Sequence, residues 1–228
     1  IGQGAVAKGQ ADIIIGKGAG PGSSSTNGRN IAIGENTLQN STNSDNVIAI
    51  GTGAGTGSNS TQSIYMGNDA TGTGTQNIVL GYKSVSQADN GVVIGATAKA
   101  GAKLSVAIGA NSSAAGGNAV ALGGNTDAAG ASAVAIGGGT VASTGAKAAG
   151  ASAIALGSNA NAAGQRAIAI GEVALSQGPY STAMGGKAQA VGTSSIAIGS
   201  TQNMSPTVAQ GHYSIAIGHQ AQALGGVG

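Results

Sequence analysis

The chain has no cysteine, tryptophan or phenylalanine, and only three prolines and four tyrosines among its 228 residues. Without cysteine there is no disulfide framework, and the redox compartment is left unmarked. With aromatics at 2% and a hydrophobic share supplied largely by alanine, a broad globular core of the usual kind is excluded. Charge is scarce as well, at 7% of residues. Disordered segments combine low hydrophobicity with high charge, so this scarcity favours order. The net charge of +2 comes from scattered basic residues without a run or stripe, which points away from nucleic acid and from anionic membrane surfaces.

Catalytic and metal-binding patterns are missing too. His212 and His219 are the two histidines, and no cysteine supports them as ligands. There is no Walker A sequence, no Gly-x-Ser-x-Gly elbow and no calcium-binding nonapeptide. Glu35 and Glu172 lie many repeats apart, too far to act as a paired acid and base. We therefore expect no enzyme, no metal site and no cofactor. No apolar run approaches the ~20 residues that span a bilayer. The chain starts mid-repeat at Ile1-Gly2 and reads as a fragment of something longer.

What the chain does have is glycine, 44 residues of it, without the Gly-X-Y period of collagen. Fifteen glycines follow a short aliphatic stretch: Gly2, Gly16, Gly34, Gly51, Gly67, Gly81, Gly95, Gly109, Gly123, Gly137, Gly157, Gly171, Gly185, Gly199 and Gly218. Nine of the fourteen intervals between them are 14 residues. A unit this short cannot bury a hydrophobic face alone, so it must stack on its neighbours as a solenoid.

Counted from each register glycine, position −1 is Ile, Leu or Met, and position −3 is Ile or Val except at Thr182. Position −2 is Ala in ten of fourteen repeats. This period of two predicts a strand with unlike faces. Positions +3 and +5 are small, as in Ala98 and Ala100 or Ala160 and Ala162, and predict a second short strand before a further glycine turn. We expect the Ile and Val side chains to fill the solenoid and the −2 alanines to face outward. A solvent-facing strand position would more often be polar, so the alanines are expected to pack against other chains. Ala107, Ala121, Ala135, Ala155, Ala169, Ala197 and Ala216 are the candidate oligomer-packing residues.

The motif Ile/Val-Ala-Ile-Gly-x-x-Ala-x-Ala-x-Gly, clearest at Ser105-Val-Ala-Ile-Gly109, Ala153-Ile-Ala-Leu-Gly157, Ser195-Ile-Ala-Ile-Gly199 and Ser214-Ile-Ala-Ile-Gly218, resembles the YadA-like head of trimeric autotransporter adhesins. The resemblance runs over nearly the whole chain. It implies an all-β, left-handed parallel β-roll, a solenoid of ~14-residue coils, with three chains side by side in a homotrimer. It also implies an extracellular place on the bacterial cell surface, held by an outer-membrane anchor outside this fragment. The partners it implies are the chain itself and collagen, fibronectin, another matrix protein, host cells or solid surfaces. Some such heads bind collagen through Asn-Ser-Val-Ala-Ile-Gly-x-x-Ser; here Leu104 precedes Ser105, and Asn118 is followed by Ala119.

One head is expected over residues 1–228, with turn insertions near 22–30, 39–46, 138–150 and 201–213. The last is the most distinctive in composition. Its candidate ligand contacts are Gln202, Asn203, Met204, Ser205, Pro206, His212 and Tyr213, since loops on a rigid scaffold are common binding sites. It reads equally as an end feature of the roll. The alternative to an adhesive head is a structural spacer or fibre segment without a ligand of its own.

Overall fold

The computed structural model describes residues 1–22, 28–141, 144–200 and 205–225. They form two compact units, Ile1–Asn111 and Ser112–Gly228. Each unit is a parallel β-solenoid, and no helix occurs among the described residues.

In the first unit seven three-residue strands pair in parallel in chain order: Ile13–Ile15, Ile31–Ile33, Ile48–Ile50, Ile64–Met66, Ile78–Leu80, Val92–Ile94 and Val106–Ile108. A second sheet starts late in this unit, with Thr71–Gly72, Val85–Ser86 and Lys99–Ala100. The second unit repeats the arrangement, from Val120–Leu122 to Ile215–Ile217 in one sheet and from Ser113–Ala114 to Gln222–Ala223 in the other. Register is strict: Ile154, Ala155 and Leu156 lie opposite Ile168, Ala169 and Ile170. Like residues therefore stack on like through successive coils.

Two tight corners close each coil. At the first, the N–H three residues after the register glycine donates to that glycine's carbonyl, as Ala160 does to Gly157 at 3.1 Å. The second corner is built alike, with Ala167 donating to Gly164 at 3.1 Å. In both the third residue has positive φ, 55° at Asn159 and 53° at Arg166. The glycines have a different reason to be there. A Cβ on Gly171, already at φ +127°, would sit 2.6 Å from the Gly185 carbonyl of the next coil. Gly164 is a matter of space alone, since its Cβ would meet the Gly178 carbonyl oxygen at 2.2 Å.

The expected orientation of the long strands is reversed. Ala107, Ala121, Ala135, Ala155, Ala169, Ala197 and Ala216 are buried inside their own chain, all but the last with no exposed surface. They cannot pack against other chains, and the flanking Ile, Val and Leu point outward. The cause is the narrowness of the coil. Corners of four residues bring the two sheets so close that the inward positions at −2, +3, +5 and +10 accept mainly Ala and Ser.

The first unit holds larger interior residues, Val79 and Val93 among them, and the bulkiest two are each met by a glycine. Tyr65 is fully buried at a −2 position, with Gly72 facing it so closely that a Cβ there would lie 3.2 Å from the ring. Leu38 is fully buried against Gly55, whose added Cβ would meet the leucine Cδ2 at 2.6 Å. Several interior polar groups are bonded locally. Ser181 and Ser214 donate to the carbonyls that open their corners, Gly178 at 2.6 Å and Gly211 at 2.7 Å. Buried Asn77 accepts from the Gly91 N–H at 2.8 Å and from Ser86 Oγ at 2.9 Å.

Candidate adhesive surfaces

Because the alanines fill the core, each long strand presents its aliphatic pair outward. In the second unit Leu122, Ile154, Leu156, Met184, Ile198, Ile215 and Ile217 are exposed, and Val134, Ile136, Ile168 and Ile170 half-buried. The first unit shows the same face, with Ile13, Ile15, Met66, Ile78 and Ile94 exposed. Apolar surface that is contiguous along a sheet, rather than scattered singly, marks an interaction site. Sequence reasoning found these residues and assigned them to the core. The available signal was the small residue at +3, +5 and +10, which shares the inward side with the −2 alanine.

The second corner carries a different surface. Residues at its third position recur one per coil, and in the second unit they include Arg166, Tyr180, Ser194 and Tyr213, all with φ between 53° and 60°. The Arg166 guanidinium carbon lies 5.5 Å from the centre of the Tyr180 ring, and its Nη1 is 3.4 Å from the tyrosine hydroxyl. This is the geometry of an exposed cation–π pair. Tyr213, 67% exposed, continues the column two coils on.

The candidate contacts of the 201–213 segment separate in space. Gln202, Asn203 and Met204 lie outside the described residues. Ser205 is exposed and Pro206 half-buried, next to the buried Thr207. From Thr207 on the coil is regular: Gln189 donates to the Thr207 carbonyl at 2.8 Å, and Val208–Ala209 is a short strand of the second sheet. His212 and Tyr213 thus occupy an ordinary second corner. The His212 Nδ1 accepts the Thr193 N–H of the preceding coil at 3.2 Å. In the same way Lys147–Ala148 is a regular strand, so the extra residues before it fall between Gly137 and Ala146, whose N–H donates to Gly137.

Among the described residues no cluster of three His, Asp, Glu or Cys could hold a metal ion, and no helix is long and apolar enough to cross a membrane. Two surfaces stand out among the described residues: an apolar sheet face and a corner strip of aromatic and cationic side chains.

The sequence has no match among curated proteins. The profile of the YadA head domain repeat matches residues 100–126, 148–171, 176–201 and 209–226. Those segments carry the Ala-filled core, the stacked register glycines and the outward aliphatic pairs described above, and the coils before residue 100 are built on the same register. That family is one of adhesins, not of enzymes. With fold, repeat chemistry and profile in agreement, the chain belongs to the YadA-like head family.

Proposed function

We propose that this chain is the head of a trimeric surface adhesin, assembled with two copies of itself through the outward Ile, Val and Leu face and attaching through the surfaces that remain exposed. The observation that supports it most is that uncovered aliphatic face, recurring in coil after coil. A polar-faced solenoid would have no such need of a partner. In this reading the head stands at the bacterial surface on an anchor supplied elsewhere in its parent protein. Attachment is to a matrix protein such as collagen or fibronectin, to host cells or to solid surfaces. Contacts run along the corner strip, with Arg166, Tyr180, His212 and Tyr213, and separately over Ser205 and Pro206, which precede the Val208–Ala209 strand. Three parallel copies of a weak strip raise avidity well above single-site affinity.

The test is a binding array of the purified fragment against matrix proteins and solid supports, with a Tyr180→Ala/Tyr213→Ala variant beside it. Binding that falls in the variant while the oligomer persists supports the reading. Inert behaviour of the trimer, with adhesion residing in another part of the parent protein, identifies the chain as a spacer.

A further inference from the structure

The second sheet of the first unit begins at an edge. Thr71–Gly72 has a single strand neighbour, Val85–Ser86. Thr71 and Thr73 donate their N–H groups to Ser84 and Ser86, at 3.0 and 2.8 Å. Alternation along a strand turns the N–H and C=O of Gly72 the other way. In a regular coil the preceding turn fills that side, as where Gln87 donates to Ala100 at 2.9 Å. The residue placed to do so for Gly72 is Gly57, which donates to Gln39 instead, at 2.8 Å. Gly55 still reaches Ala70 at 2.8 Å, so the ladder is closed on one side of Gly72 and forked open on the other. Both backbone groups of this buried glycine are left without a backbone partner among the described residues. Buried main-chain groups are rarely left so.

The fork opens into a cavity of about 380 Å³ that Gly72 lines, within the size range of small-ligand sites. No charged residue lines it. Four of the five hydroxyls in its lining already donate their protons: Thr56 to the Asn36 carbonyl at 2.8 Å, Thr73 to Gln87 at 3.0 Å, Ser58 to Gly55, and Ser86 to Asn77 at 2.9 Å, which leaves the Thr71 hydroxyl and the Gln87 amide as side-chain donors. The four donating oxygens therefore present lone pairs and call for a ligand rich in hydroxyl donors. Half-buried Val85 adds one apolar patch to the lining.

We infer that this fork is a binding site for a neutral saccharide, held by a vicinal diol. One hydroxyl accepts from the Gly72 N–H and its neighbour donates to the Gly72 C=O, while the ring's C–H face lies on Val85 and further hydroxyls donate to Thr56 and Ser58. An added peptide strand suits the site less well. Strand addition draws its affinity from a row of main-chain bonds, and here the row is one residue long.

The inference is independent of the adhesive reading, because a sugar-binding coil and an inert head are compatible. It is tested on the full chain by following the Gly72 amide in nitrogen–proton correlation spectra during titration with glucose, galactose and methyl mannoside. The expected result is a saturable shift of Gly72 with at least one hexose, weakened about tenfold or more in Thr73→Trp, which blocks the mouth from an exposed position. Val85→Glu is expected to do the same by charging the wall. Gln177→Trp, the matching exposed position of a coil whose ladder is closed, leaves the shift intact. Three results would overturn the site: no hexose moves Gly72, the shift survives both blocking variants in folded protein, or a blocked dialanine moves Gly72 more strongly than any hexose.

Discussion

Val173 shows what a single residue tolerates in this fold. It holds the third position of a first corner with φ 57°, a conformation that a β-branched side chain adopts at a cost of about 1–2 kcal/mol. The same position is Asn in several other coils, as at Asn36 and Asn159. Since Val173 is 42% exposed, little burial is at stake. Val173→Asn is expected to stabilise the chain by about 1 kcal/mol, raising Tm by about 2–4 °C in calorimetry. Asp89 offers a pH-dependent case. Its Oδ1 accepts the Thr75 N–H at 2.9 Å and its Oδ2 meets Lys103 Nζ at 3.0 Å. The backbone bond first, and the lysine second, hold the carboxyl below the ordinary aspartate range. A depressed carboxyl contributes stability that is present above its unfolded pKa of about 4 and is lost as pH falls through the lower, folded value. Acid titration of Asp89→Asn is therefore expected to show a shallower loss of stability below about pH 4 than the parent chain.

At the scale of the element, Gly171 ties one long strand to the next. Alanine there would bring a Cβ to 2.6 Å from the Gly185 carbonyl and 3.1 Å from the Gly186 nitrogen at φ +127°, all of it backbone, with no flexible side chain to yield. Gly171→Ala is expected to cost about 3 kcal/mol or more. Hydrogen exchange should report the loss first at the Ile168–Ile170 and Thr182–Met184 strands, while Ile215–Ile217 keeps its protection. The elements themselves were legible in the sequence: the register glycines place every long strand, and Ala98 with Ala100, or Ala160 with Ala162, announce the short ones. Their orientation was not. An Ile-Ala-Ile alternation says that two faces differ and is silent on which is inward, because that depends on how far apart the corners hold the sheets. Ser195, Ala197, Ala188 and Ala190 are all small and all inward, and read together they describe a slot that isoleucine cannot enter. The cavity at Gly72 was invisible for another reason. It arises where Gly57 departs from a ladder, and no spacing in the sequence records which carbonyl that N–H chooses.

For the whole molecule, neighbouring residues of one strand separate packing within the chain from packing between chains. Ile168 is half-buried on the outer face, and Ala169 has no exposed surface. Ile168→Lys is expected to leave the β-type circular dichroism in place while sedimentation shows the oligomer falling apart at micromolar concentration. Ala169→Lys places a charge in the slot and is expected to abolish the cooperative fold, a cost of about 3–5 kcal/mol. The parent chain should show a Tm that rises with concentration, as association requires. A monomer whose Tm is independent of concentration in both the parent and Ile168→Lys would remove the outer face from the assembly.

The short reach of the hydrogen bonds governs how such a chain finds its structure. Ladder partners lie one coil apart in sequence, as when Gly171 donates to Leu156 or Gly185 to Ile170. Closing a loop of that length costs little more at the hundredth residue than at the twentieth, so the search does not lengthen with the chain. Each finished coil offers the next a template already in register, and folding proceeds as a zipper with no step that waits for a distant terminus. Where extra residues separate partners, as between Gly137 and Gly157, the zipper must close a larger loop and pauses. A solenoid of this kind can begin to fold before its last coils are available, each finished coil holding the ones before it in place.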